Sequence, residues 1–341
     1  MKKVSIITPC FNVEDFVSRF LESCLNQSIG RDQIEIICID DASTDHTLDV
    51  LKEFEAKYPE LIILIPLTEN RKQGFARNLG MQYANGETIV FVDADDWLEN
   101  NALDTMYKFI QLYNCDIIDS PRIIDKANGL SGLIETYEEN QLYFNDPPTA
   151  KGGKWPDFMH GGFKMYRTSF LKKNQIRFAE GLFYEDNYFG AMATVYCSSY
   201  CQIMYAFYHY VENLNSTMHR VNDSRFLDRL VIEKMKLDFY KKIGIYEQNY
   251  NHIMKGFFDF FYFNTMHQLP FCFEEPPFKV YQYMVKEIKR IFPDYLKEKE
   301  RLVSGAPVNT VFLEMIEMDL KEEEFQKILE GHKQDCINGQ R

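Results

Sequence analysis

The chain has 341 residues, 45% hydrophobic and 26% charged, which suits about two globular domains and excludes a disordered chain, a collagen-like fibre or a coiled-coil rod. Its 38 Lys and Arg stand against 51 Asp and Glu, a net charge of −13, so neither nucleic acid nor an anionic membrane surface is a general partner of the whole chain. The first hundred residues hold nine basic and eighteen acidic side chains, so a phosphate bound there needs a cation or a positioned Arg beside it.

The Met-Lys-Lys start leads at once into Val-Ser-Ile-Ile, with no long apolar stretch or small-residue cleavage site, and a cytoplasmic chain is expected. Residues 4–8 read as a strand, and Phe16, Phe20, Leu21, Cys24 and Leu25 then recur at helical spacing. Residues 34–39 form a second predicted strand. Ser43 or Thr44 is expected to cap the helix carrying Leu48, Leu51 and Phe54. A strand at 61–65, a helix at 75–84, a strand at 88–92, a helix at 102–112 and a strand at 116–119 follow. Strands alternating with helices predict an α/β fold with a mostly parallel sheet, and the apolar runs without polar alternation fit strands covered on both faces.

From about 128 to 157 the pattern dissolves into Gly, Asn, Pro and aromatic residues, which reads as a lid or substrate loop. The stretch 190–211 lacks Asp, Glu, Lys and Arg but is interrupted by Thr194, Ser198, Ser199, Gln202 and His209, so it reads as buried helix plus strand and not as a membrane span. After Arg225 the chain is helical almost to its end. Residues 1–220 are expected to form one domain, with a nucleotide-binding half at 1–120 and an acceptor half at 121–220, followed by a helical region at 221–341. Eight scattered cysteines lack zinc-finger spacing and read as free thiols.

In a parallel α/β sheet, ligands bind outside the carboxyl ends of the strands. Here those ends carry Thr8-Pro9-Cys10-Phe11-Asn12, Asp40-Asp41 and Asp93-Ala94-Asp95-Asp96. Carboxylates about 4 Å apart repel by about 4 kcal/mol at an effective dielectric near 20, so a cluster of them calls for a partner, and hard oxygen ligands suit magnesium or manganese. The bland alternative, aspartates capping a helix, loses ground because Asp40 and Asp41 are expected alongside.

Four segments, Val4-Ser-Ile-Ile-Thr-Pro-Cys-Phe-Asn12, Ile39-Asp-Asp-Ala-Ser-Thr-Asp45, Ala76-Arg-Asn-Leu-Gly80 and Phe91-Val-Asp-Ala-Asp-Asp-Trp97, resemble in order and spacing the motifs of the inverting family 2 glycosyltransferases of the GT-A fold. Lys164-Met-Tyr-Arg and the stretch through Tyr184-Glu-Asp186 extend the resemblance to about residue 220. It implies a Rossmann-like central sheet flanked by helices with a helical C-terminal extension. It implies that Thr8, Pro9 and Phe11 form a wall for a nucleotide base and ribose, that Asp41 bonds the base, as suits uracil, and that Arg77 lies near the donor diphosphate. Asp93 and Asp95 would serve the metal and diphosphate, with Asp96 sharing ligation, and Asp186 would be the catalytic base, with Glu185 as the alternative. Two departures stand out. Ala42 and Lys72 occupy positions where the family often has Gly.

The resemblance implies transfer of a sugar from a nucleotide diphosphate donor, UDP-linked for choice, to a hydroxyl of a glycan or lipid-linked glycan, in a bacterial polysaccharide pathway. A nucleotidyltransferase fits less well, because no Gly-rich loop follows the first strand. A silent nucleotide-sugar or glycan-binding module is opposed by the intact Asp93, Asp95 and Asp186. Trp155, His160 and Lys164 are candidates for an acceptor pocket, and His209 and His219 for the diphosphate or metal, although packing is favoured for both histidines. The aromatic segment 256–263 is either a membrane-interface contact or helix-packing core, with core favoured because few Lys or Arg accompany it.

Overall fold

A computed structural model describes residues 2–133, 139–144, 163–212, 221–303 and 307–339. The chain divides into two compact units, Met1–Leu214 and Asn215–Arg341. Trp155, His160, His219 and much of the expected substrate loop lie outside the described residues.

In the first unit the apolar runs become β1 (Val4–Cys10) and β2 (Ile34–Asp40), buried along nearly their whole length. Between them α1 (Val17–Leu25) turns Val17, Phe20, Leu21, Cys24 and Leu25 onto one buried stripe, as the 3.6-residue period requires. The chain continues through α2 (Thr47–Lys57), β3 (Ile62–Pro66), α3 (Lys72–Tyr83), β4 (Thr88–Phe91), β5 (Trp97–Leu98) and α4 (Ala102–Leu112). The expected cap of α2 is corrected: neither Ser43 nor Thr44 makes it. Asp45 Oδ1 instead accepts from the Thr47 N–H at 3.0 Å, because Ser43 and Thr44 are turned toward Asn12 in the neighbouring loop.

Then come β6 (Ile117–Ser120), β7 (Arg122–Asp125), β8 (Ser131–Leu133), β9 (Gln141–Phe144), β10 (Phe163–Arg167), α5 (Thr168–Lys173), α6 (Glu185–Tyr196), β11 (Ser199–Gln202) and β12 (Tyr208–Val211). The central sheet has the order β3-β2-β1-β4-β10-β6-β11-β9. Its first four strands are parallel, and β10 enters antiparallel between β4 and β6. A four-stranded sheet, β5-β12-β7-β8, completes the unit. Local pattern did not announce this second sheet, because β5 is two residues long and pairs with a strand more than a hundred residues away. Residues 190–211 hold the end of one helix and two strands, one in each sheet.

The second unit contains α7 (Asp228–Lys242), α8 (Tyr250–Phe257), a π-helical turn at Phe258–Phe263, α9 (Asn264–Cys272), α10 (Phe278–Ile291), α11 (Lys299–Leu302), α12 (Val308–Met315) and α13 (Glu322–Ile337). Phe257, Phe258, Phe261, Tyr262 and Phe263 are at most 2% exposed, so the aromatic segment is core of this unit and is not available to a bilayer. Among the described residues no helix is long and apolar enough to cross a membrane. All eight cysteines are free, six of them buried.

Candidate active site

The C-terminal ends of β2, β1 and β4 lie side by side. Cys10 pairs with Asp40 and Ile7 with Phe91, so Asp41 and Asp93 emerge at one edge of the sheet with β1 between them. At the usual strand spacing their backbones are about 10 Å apart. The loops after β1 and β2 are tied together, since Asn12 Oδ1 accepts from the Thr44 N–H at 2.8 Å and Thr47 Oγ1 from the Val13 N–H at 2.8 Å.

Asp41 is buried, 3% exposed, and its Oδ1 accepts from the Arg71 N–H at 2.7 Å. Burial pushes its carboxyl above the ordinary range, and the N–H groups of Arg71 and Lys72 pull it back. Phe11 is 45% exposed beside it and Pro9 is partly exposed, but Thr8 is completely buried. Of the expected wall only Pro9 and Phe11 therefore reach the surface. Thr8 lies beneath it, its hydroxyl without a partner among the described residues.

The Asp93–Asp96 cluster splits into two kinds of carboxyl. Asp93 keeps 48% of its side chain exposed. Asp95 is partly exposed, its carboxyl raised to about 6 by burial and then by the charge of Asp93. Asp96 points the other way. It is 1% exposed, accepts from the Val211 N–H at 2.8 Å and from the Tyr208 hydroxyl, and is pushed up to about 8 by burial and then by its two neighbours. Tyr208 in turn accepts from the Asp93 N–H at 3.3 Å. Asp96 thus fastens β12 under the loop.

Arg77 lies beside this cluster, nearly buried. One terminal nitrogen donates to Asp93 at 2.6 Å and the other to Glu185, so its guanidinium bridges two carboxylates. Burial alone would lower the guanidinium, and the charges of Asp93 and Glu185 outweigh it. Glu185, the alternative base, is 3% exposed, with its other oxygen held by Gln73 Nε2 at 3.1 Å. Both Glu185 oxygens are thus taken up by neighbouring side chains. Asp186 is exposed at the first turn of α6 and within electrostatic reach of both Arg77 and Glu185. The approach of α3 to α6 depends on Gly74, where a Cβ would stand 2.0 Å from the Ala179 carbonyl and 3.2 Å from Glu185 Cβ.

Four non-glycine residues bordering the site have left-handed backbone: Asn12 (φ 53°), Ala42 (φ 60°), Lys72 (φ 64°) and Tyr184 (φ 63°). That conformation is ordinary for Asn but costs about 1–2 kcal/mol for other L-residues. Strain of this kind collects where a site fixes its loops. It explains why glycine suits positions 42 and 72.

Some contributors had no local signal. Arg19, on the exposed face of α1, donates to the Asp95 carbonyl at 3.2 Å. The sequence hint was its place opposite the apolar stripe. Tyr210 on β12 is 38% exposed, and its phenol is raised by burial and then by Asp96, Asp95 and Asp93. Two other candidates are packing residues. His209 stacks on Trp97 with ring centroids 3.5 Å apart and sits between Asp125 and Glu99, while Lys164 pairs with buried Asp119 at 3.3 Å.

The carboxylates available to a divalent cation are Asp93 and Asp95. Among the described residues no group of three His, Cys, Asp or Glu is placed to hold one. Two partly exposed carboxylates fit magnesium or manganese, which take one or two carboxylates and complete their shell with phosphate and water.

The sequence model of "Glycosyl transferase family 2" matches residues 5–174. Over 176 residues, 52% of this chain, the sequence is 32% identical to a poly(ribitol-phosphate) beta-glucosyltransferase of Bacillus spizizenii. Over 182 residues, 53% of this chain, it is 28% identical to the poly(ribitol-phosphate) beta-N-acetylglucosaminyltransferase TarS of Staphylococcus aureus. The matches span only 27% and 30% of those two relatives. The crystal structure of S. aureus TarS 1-349 in complex with UDP-GlcNAc superposes with a TM-score of 0.69 at 20% identity, covering 97% of this chain and 92% of that one.

Proposed function

Because residues 5–174 place this chain in glycosyltransferase family 2, we propose that it moves a sugar from a UDP-sugar to a hydroxyl of a glycan or lipid-linked glycan, with inversion at the anomeric carbon. The observation that carries this reading is that Asp41, Asp93 and Asp95 follow β2 and β4 on one edge of the sheet, with β1 between those strands and Asp186 exposed on α6. Pro9 and Phe11 offer the base an apolar wall, and Asp41, fixed by the Arg71 N–H, accepts from the imide N–H of uracil. Asp93 and Asp95 would hold a manganese or magnesium ion, which when bound neutralises the diphosphate. Arg19 lies at the rim of the same cluster and adds positive charge there.

Asp186 takes the proton of the acceptor hydroxyl as its oxygen forms the new bond to the anomeric carbon and the bond to the diphosphate oxygen breaks. Such a base contributes roughly 10²–10⁴-fold. One in-line displacement needs no covalent intermediate on the protein, so an α-linked donor gives a β-linked product. The named activities of the relatives make UDP-glucose and UDP-N-acetylglucosamine the first donors to try.

A donor panel tests the reading. With manganese present, slow hydrolysis of one UDP-sugar in the absence of acceptor is expected, along with its loss in Asp95→Asn. Absence of hydrolysis and of binding across UDP-, GDP- and dTDP-sugars would overturn it. Donor binding without any turnover would favour a silent module.

A further inference from the structure

With Asp93 and Asp186 given their parts, one buried charge at the site has none. Glu185 immediately precedes Asp186, and its carboxylate is enclosed by Arg77 and Gln73. Arg77 also reaches Asp93 at 2.6 Å. One guanidinium thus serves two carboxylates, one from the strand end carrying the aspartate cluster and one from α6, and the trio carries a net charge of −1. If Arg77 faced Asp93 alone, the pair would be neutral. Oxygen sites gain cation affinity with ligand charge, so a neutral pair is a poor place for a divalent ion. The junction is shaped for the shared arrangement: Gln73 and Arg77 lie one turn apart on α3, and Gly74 between them admits Glu185.

We propose that Glu185 is a positioning residue, which shares the Arg77 guanidinium with Asp93 and so leaves Asp93 the negative charge that holds a cation and a nucleoside diphosphate. The inference rests on the function proposed above and gives Glu185 no contact with substrate. It also links the two walls of the site, because the residue that balances Asp93 is the chain neighbour of the base. Loss of the Glu185 charge should appear as a change in cation demand, and neutralising the exposed Asp186 should change that demand less.

The test uses the full chain with Mn²⁺ and UDP as probes, followed by calorimetry. Glu185→Gln is expected to raise the Mn²⁺ concentration needed for half-maximal UDP binding about tenfold and to keep a cooperative thermal transition. Asp186→Asn, which removes a charge near Arg77, should shift that concentration less than Glu185→Gln does, and an equal or larger shift would overturn the proposal. The double variant Arg77→Met/Glu185→Met removes the buried pair together, a change often tolerated when volume is kept. With Asp93 freed of its Arg, its Mn²⁺ requirement should return to that of the unaltered chain or below. An unchanged requirement in Glu185→Gln would overturn the proposal, as would a double variant no better than the single one. If Glu185→Gln does not fold, the double variant decides alone: a requirement at or below the unaltered value supports the proposal, and a higher one overturns it. An unaltered chain that binds neither probe would instead overturn the function itself.

Discussion

The two units use buried polar and aromatic groups differently. In the first, charge is held in tension at the strand ends: Asp93, Arg77 and Glu185 form one shared bridge, Asp96 is kept within the fold, and four left-handed residues fix the loops. In the second, the largest buried side chains are aromatic rings, and a charge taken inside is paired locally: Glu233, 4% exposed, accepts from Lys236 Nζ at 2.9 Å. Phe258 and Phe261 are fully buried, and Tyr262 donates to the Phe312 carbonyl at 2.8 Å. The proposed chemistry sits where one Arg is shared between carboxylates from distant parts of the chain, whereas the second unit pairs Glu233 with a Lys three residues along the same helix.

Substitutions in each region should separate these roles. The largest effect belongs to Asp186→Asn, expected to lower transfer by roughly 10²–10⁴-fold while UDP binding and the melting temperature hold. A steady-state assay beside calorimetry checks it, and a lost donor affinity would place Asp186 on the donor side. In the second unit Phe258→Ala should cost about 3–5 kcal/mol in urea unfolding by leaving a cavity. Retained stability would show that the rings are less tightly packed than their burial indicates.

Asp96 gives the comparison a pH dependence. Its folded carboxyl titrates at about 8 and an unfolded one near 4, so between those values the folded chain holds a proton that the unfolded chain has released. Stability contributed there is present below about pH 4 and is lost as pH rises toward 8. In cation-free buffer, unfolding free energy should fall across that window by a few kcal/mol at most, with a smaller fall in Asp96→Asn, which keeps no titrating proton. An identical slope in the variant would remove Asp96 from the explanation. The smallest expected change is Ala42→Gly, which relieves a left-handed alanine and should stabilise the first unit by about 1 kcal/mol. Destabilisation would mean that the turn gains more from its side chain than it loses to strain.

Much of the first unit was legible because its signals are local. The apolar run 34–39, the stripe Phe20-Leu21-Cys24 and the aspartates after the fourth strand each declare themselves within ten residues. What stayed hidden depends on pairings far along the chain. Resemblance placed Arg77 near a diphosphate, but no local pattern showed its two partners, 16 and 108 residues away. Asp96 resembled its neighbours until Tyr208 and Val211 arrived from β12. Glu185 and Asp186 are adjacent in sequence, and only the helix direction separates a buried carboxylate from an exposed one.

The most direct test of the strand-end site is the electron paramagnetic resonance spectrum of Mn²⁺ mixed with UDP and the full chain. Motionally restricted Mn²⁺ is expected for the unaltered protein, and the free aquo signal for Asp95→Asn. Restricted Mn²⁺ that persists without Asp95 and Asp93, or UDP bound equally well in chelator, would contradict a donor site built on these aspartates.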